Sequence, residues 1–188
     1  MDEIKRYFET YFGISQTDWD LFSSKLIREE FSNKKILLHA GQTENHLSFI
    51  EKGIVRQYVP LEHKDITIGF AFQGSFISAY DSFITQSPSE YCVETLQETI
   101  LWRLDFGSLQ EIYEKTEIGH FIGRKASEEL FLKKSKREIS LLKHSAEERY
   151  YRLFDERPEL IQFIPLKYIA SYIGVTPQAL SRIRKRIS

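Results

Sequence analysis

The sequence predicts an α+β protein, and three observations carry that reading. Apolar residues stand at helical spacing near the start. They recur with a period of two from about Lys35 to Leu104, and return to helical spacing from there to the end. Turn residues spaced this closely between short strands fit a compact antiparallel barrel or double-sheet roll rather than a parallel α/β sheet. The 188 residues suffice for one large domain or a medium one with a small appendage. With 41% hydrophobic and 14% aromatic residues the chain can bury a sizeable core, which excludes disorder as its dominant state.

The elements follow in order. The first 30 residues read as helical, with Ile4, Tyr7, Phe8 and Tyr11 on one face. Gly13 interrupts, and Ser15 with Asp18 three residues on resembles a capping box ahead of Trp19, Phe22 and Leu26. In the strand region Ile66, Ile68, Phe70 and Phe72 alternate with smaller or polar residues, as do Ile100, Trp102 and Leu104, predicting strands with one buried face. Gly41, Gly53, Gly69, Gly74 and the Pro60–Asp65 stretch punctuate it as turns.

Asp105 reads as the N-cap of a helix carrying Phe106, Leu109, Ile112 and Tyr113 on one face. A Pro-free stretch from Thr116 to about His144 predicts one long helix, of about 26 residues and roughly 39 Å. Its apolar positions, Ile118, Ile122, Ala126, Leu130, Leu132, Ile139 and Leu142, need a partner surface, either a second copy or the roll. The basic run Lys133, Lys134, Lys136 and Arg137 reads as a solvated face, and Pro158 as the end of a short helical piece.

The last 24 residues carry the most specific pattern. Two helices joined by a tight turn need a small residue where they cross, a residue that tolerates positive φ at the turn, and apolar facing sides. Ala170 and Gly174 fill the first two roles, and Ile169, Ile173, Val175, Leu180 and Ile183 supply the third. Thr176 can cap the second helix, with Pro177 at its first position, where a missing N–H costs nothing. That helix places Ala179, Leu180, Ile183 and Ile187 inward and leaves Gln178, Ser181, Arg182 and Lys185 outward. The pattern is a helix-turn-helix with a polar, basic face suited to DNA.

Charge agrees once it is divided. Lys plus Arg come to 26 and Asp plus Glu to 27, a net of -1. Pro165–Ser188 holds five basic residues (Lys167, Arg182, Arg184, Lys185, Arg186) and no acid, leaving 21 basic and 27 acidic elsewhere, so +5 sits against -6. One cysteine, Cys92, excludes an intramolecular disulfide, a multi-cysteine zinc site and a four-thiolate iron–sulfur cluster. No secretory core or apolar run of membrane-spanning length is present, which predicts a cytoplasmic protein.

Together, Ile36–Gly41, Phe49–Arg56, Gly74–Ile77 and above all Tyr168–Arg182 resemble the Crp/Fnr family of transcription regulators, over essentially the whole chain. The resemblance implies N-terminal helices and an antiparallel double-stranded β-roll (jelly roll) of cyclic-nucleotide-binding type over residues 1–115. It also implies a dimerisation helix over 116–144 and a helix-turn-helix domain over 145–188. Its implied partners are double-stranded DNA with an inverted-repeat operator, a second copy of the chain, RNA polymerase and an effector of unknown identity. Carried across, the base-reading positions fall on Pro177, Gln178 and Arg182, beside Ser181. Thr176, Arg184, Lys185 and Arg186 are placed for phosphate contacts. Pro177 offers only apolar contact, and no strand follows the reading helix to form a wing.

The family's nucleotide cassette needs a carboxylate for the ribose and an arginine for the cyclic phosphate. Over Gly74–Tyr80 and Pro88–Val93 the carboxylate position falls on or near Ala79, beside Tyr80, and the arginine position near Glu90, beside Tyr91. A carboxylate about 4 Å from a phosphate costs roughly 1–4 kcal/mol. No arginine lies between Arg56 and Arg103. The expected pocket is therefore degenerate, without cyclic AMP or GMP and without a cofactor, since His39, His46, His63, His120 and His144 are too scattered to offer a heme ligand. The rival readings are a cupin-like metal enzyme begun by His39, His46 and Glu51, and a ligand-binding module without DNA binding.

Overall fold

The computed structural model describes residues 1–116 and 118–187; the inward placement expected of the Ile187 side chain lies outside the described side chains. In chain order the elements are α1 (Asp2–Phe12), α2 (Gln16–Ser24), β1 (Ile27–Phe31), β2 (Ile36–Leu38), β3 (His46–Lys52), β4 (Ile54–Leu61), β5 (Lys64–Phe72), β6 (Phe76–Ile77), α3 (Tyr80–Thr85), β7 (Cys92–Thr95), β8 (Thr99–Asp105), α4 (Phe106–Lys115), α5 (Gly119–Lys143), α6 (Ala146–Glu156), α7 (Pro158–Phe163), α8 (Leu166–Tyr172) and α9 (Pro177–Ile187). They fall into two compact units, Met1–Pro60 with Gly69–Ala126, and Leu61–Ile68 with Ser127–Ser188.

The first unit is a roll of two four-stranded sheets, ordered β1-β8-β3-β6 and β2-β7-β4-β5. Between them lie Ile50, Val55, Val93 and Leu101, at most 2% exposed. The outer face of the first sheet is covered as well. Ile4 and Phe8 of α1, Trp19 and Phe22 of α2, and Leu109 and Ile112 of α4 bury themselves with Phe49 and Leu104. Each such large apolar side chain contributes about 1.5–3 kcal/mol on burial.

That second cover corrects the one-buried-face expectation. Trp102 and Leu104 face the helices, while Leu101 between Ile100 and Trp102 faces the other sheet. The helical start is also shorter than expected, since β1 begins at Ile27 and pairs with β8. A short helix, α3, interrupts the roll where only strands and turns were expected.

The caps are where local chemistry puts them. Ser15 Oγ accepts from the Asp18 N–H at 3.1 Å, and Asp105 from the Ser108 N–H at 2.9 Å. Thr116 ends α4, with its hydroxyl donating to Ile112 O at 2.7 Å, so the long helix starts at Gly119 rather than at Thr116. Its 25 residues run about 38 Å. Near its start a Cβ on Gly123 would stand 2.8 Å from the Tyr113 hydroxyl, so glycine lets α4 and α5 approach.

In the second unit Ser145 opens α6 with a full capping box: Glu148 N–H donates to Ser145 Oγ at 3.2 Å, and Ser145 N–H to Glu148 Oε2 at 2.7 Å. α6 stops at Glu156, and Pro158, expected only to end a helix, occupies the first turn of the next one. Tyr150, Leu153, Leu160, Ile164, Ile169 and Leu180 form the core. The apolar stripe of α5 is divided: Ile122 packs against the first unit's core, whereas Leu132, Ile139 and Leu142 are 57%, 54% and 82% exposed. At the β4–β5 tip the expected alternation is reversed, with Thr67 buried and Ile66 exposed.

Candidate nucleic-acid interface

The α8–α9 pair is built by local sequence. Gly174 adopts φ +80°, a left-handed conformation costly for other residues. Val175 N–H reaches Ala170 O at 2.9 Å and Gly174 N–H reaches Ser171 O at 3.2 Å, which satisfies the last carbonyls of α8. Thr176 Oγ1 then accepts the Ala179 N–H at 3.2 Å, and Pro177 begins α9. Ile169 and Ala170 are fully buried, and Leu180 and Ile183 are buried against them.

The opposite face of α9 is open to solvent. Thr176, Pro177, Gln178, Ser181, Arg182, Arg184, Lys185 and Arg186 are all exposed, and the helix contains no acid. Helical period puts Gln178, Ser181, Arg182 and Lys185 on one stripe, flanked by Arg184 on one side and Arg186 on the other. Ser181 Oγ donates to Pro177 O at 2.9 Å, which leaves its lone pairs to accept. Arg186 reaches Glu147 at the start of α6, at 3.6 Å, so an acid from outside the basic segment meets one edge of the face.

Two arginines fix this turn from other helices. Arg149 of α6 donates through Nε to Ile173 O at 2.8 Å and through Nη1 to His144 O. Arg137 of α5, expected on a solvated face, is half-buried. It donates to Tyr172 O at 3.0 Å and to Thr67 O at 3.3 Å, with its guanidinium 3.9 Å from the Tyr172 ring centroid. Burial pulls its pKa down, against the pull of Tyr172, yet arginine keeps its charge. Sequence reasoning missed both, because nothing local marks an arginine whose acceptors are backbone carbonyls.

The cassette region of the roll is different in kind. Gly74, at φ +80°, donates its N–H to Ile50 O at 2.9 Å. Ala79 is fully buried and brings no polar side chain. Tyr80 stacks on Phe83, and Tyr91 donates to Asp81 Oδ1, with burial first and Asp81 second pushing its pKa up. Glu90 is exposed, whereas Ser89 beside it is buried and donates to Tyr91 O at 2.9 Å.

Glu44 is buried at the entry to α3. Its carboxylate accepts from the His46 N–H at 2.9 Å and from the Ala79 N–H, and burial pushes its pKa up. Arg56 is 1% exposed and pairs with Glu94 at 2.7 Å, its guanidinium 4.3 Å from the Tyr58 ring centroid. As for the metal reading, His39 is exposed and Glu51 is engaged by Arg28 and Trp102. Among the described residues no three His, Cys, Asp or Glu side chains gather as a ligand set.

Residues 28–116 match the cyclic nucleotide-binding domain family. The chain is similar in fold to a protein from Eubacterium rectale described as a transcriptional regulator of the Crp/Fnr family. The identity is 17% over 97% of this chain and 87% of that one, with a TM-score of 0.75. FixK2 from Bradyrhizobium japonicum is 13% identical over 86% of this chain and 84% of its own, with a TM-score of 0.74. The c-di-GMP-responsive global regulator CLP of Xanthomonas campestris is 16% identical over 92% and 91%, with a TM-score of 0.71. Among curated protein sequences none is significantly similar to the chain. The likeness to the solved structures is one of fold, a roll of cyclic-nucleotide-binding type followed by helices in the Crp/Fnr manner.

Proposed function

We propose that the chain is a DNA-binding transcription regulator of the Crp/Fnr type, which grips an inverted-repeat operator as a homodimer and works in the cytoplasm. The observation that carries this reading is the stripe Gln178, Ser181, Arg182 and Lys185, exposed, free of acids and backed by buried Ile169, Ala170, Leu180 and Ile183. Gln178 pairs with the N6 and N7 edge of adenine, and Arg182 with O6 and N7 of guanine. Pro177 contributes apolar contact and Ser181 accepts from a base amine. Thr176, Arg184, Lys185 and Arg186 meet phosphates, setting register rather than sequence.

Residues 1–115 then serve as the sensor, 116–144 as the dimer helix and 145–188 as the DNA-binding part. The exposed Leu132, Ile139 and Leu142 of α5 favour a second copy of the chain as partner to that stripe. Two reading helices on a two-fold axis fit half-sites about 34 Å apart. RNA polymerase is the further partner such a regulator requires. The roll is read as an effector domain without the cyclic AMP-binding residues: the position that needs a carboxylate falls on or near Ala79, and the deeply buried Arg56 pairs with Glu94.

Selection of bound duplexes from random DNA tests the reading directly. The expected product is an inverted repeat with its halves one helical turn apart, and recovery of no preferred sequence overturns it. Light scattering at micromolar concentration gives about twice the chain mass of 22.2 kDa. A mass near that of one chain removes the dimer.

A further inference from the structure

β5 is the terminal strand of its sheet, so one edge of it has no neighbouring strand. At Asp65–Thr67, in the second unit, that edge is taken up by side chains. The Ser171 hydroxyl donates to Asp65 O at 2.8 Å and accepts from the Thr67 N–H at 2.8 Å. An Asp65 carbonyl and a Thr67 N–H point to the same side of a strand and are the pair a neighbouring strand would use. One hydroxyl therefore does a strand's work, as donor and acceptor at once. Arg137 takes the next group on the same edge, Thr67 O, while holding Tyr172 O at the end of α8.

Ser171 and Tyr172 are the last residues of α8 before the Gly174 turn into α9. We infer that Ser171 and Arg137 are positioning residues, which clasp the hairpin Leu61–Ile68 to the end of α8 and so fix the direction in which α9 presents its reading face. The clasp does not touch that face: Gln178, Ser181, Arg182 and Lys185 are exposed beyond it. It holds the helix ready, removing orientational freedom that DNA binding would otherwise have to remove. The inference rests on the DNA-reading function proposed above. It adds that the hairpin, continuous with roll strands β4 and β5, is part of the reading apparatus.

The experiment compares the full-length wild type with Ser171→Ala and Ser171→Thr. It uses the duplex selected by the wild type over a range of salt concentrations, with hydrogen exchange at Thr67. Ser171→Ala changes no charge. The expected result is about tenfold weaker binding with an unchanged slope of log affinity against log salt, because no phosphate contact is lost. The Thr67 amide exchanges faster, and Ser171→Thr, which keeps the hydroxyl, restores both. Arg137→Ala, with its charge away from the reading face, also weakens binding without lowering the slope. If the wild type selects no duplex, the DNA-reading function itself fails. If it does and Ser171→Ala binds equally well, or weakens with a reduced salt slope, the clasp is overturned.

Discussion

The roll and the C-terminal helices treat their cations in opposite ways. In the roll each of three arginines is met by an acid from another strand, Arg56 by Glu94, Arg103 by Glu29 and Arg28 by Glu51, with Glu30 of its own strand also on Arg28. In α9 the basic residues stand on an exposed face of a helix without acids of its own, and at one edge Arg186 reaches an acid from α6. The first arrangement neutralises charge within the protein and serves cohesion; the second places cations at the surface. A net charge of -1 describes neither.

The sharpest way to break this contrast is to remove a cation from each side. Arg56→Ala strands a carboxylate beside a buried gap and is expected to cost about 3 kcal/mol in denaturant unfolding, since breaking a buried pair costs far more than the pair contributes. Arg182→Ala is expected to leave unfolding within about 0.5 kcal/mol of wild type while costing about 1–3 kcal/mol of operator affinity. A relaxed base preference at one position of each half-site, measured by competition between duplexes, accompanies that loss. If Arg182→Ala destabilises the fold as Arg56→Ala does, the contrast is gone. Lys185→Ala sharpens it: binding weakens evenly across sequences, and the salt slope falls by about one.

The smallest effect concerns Glu44. Burial raises its pKa in the folded protein, so the folded state holds its proton more tightly than the unfolded chain does. Stability therefore declines as pH rises from the ordinary carboxylate pKa through the raised folded value. In Glu44→Gln that part of the decline disappears, which a series of unfolding curves across this window detects.

What was legible in the sequence was local. Ser15, Asp105, Thr176, Pro177 and Gly174 stand in the caps and the turn because each acts on backbone within a few residues. Strand faces were harder, since alternation gives a period but not what covers each side. Trp102 and Leu104 look like part of an inner face and instead meet helices from both ends of the first unit. Arg137 was illegible for a plainer reason: its acceptors lie 70 and 35 residues away. At the cassette only residue identities, such as that of Ala79, could be read directly. The buried Ser89, the exposed Glu90 and the Glu44 carboxylate at the start of α3 could not.

The hairpin clasp also sets an order of events during synthesis. Ser171 follows Thr67 by 104 residues. At about 5–20 residues per second, the edge of β5 is synthesised some 5–20 s before the hydroxyl that will cover it. A bare strand edge invites pairing with other chains. The hairpin tip, Glu62-His63-Lys64-Asp65, carries charged and polar residues where such pairing would begin, a guard suited to that interval. A fragment begun at Ser127 would never complete the same unit, because Leu61–Ile68 would be missing from it.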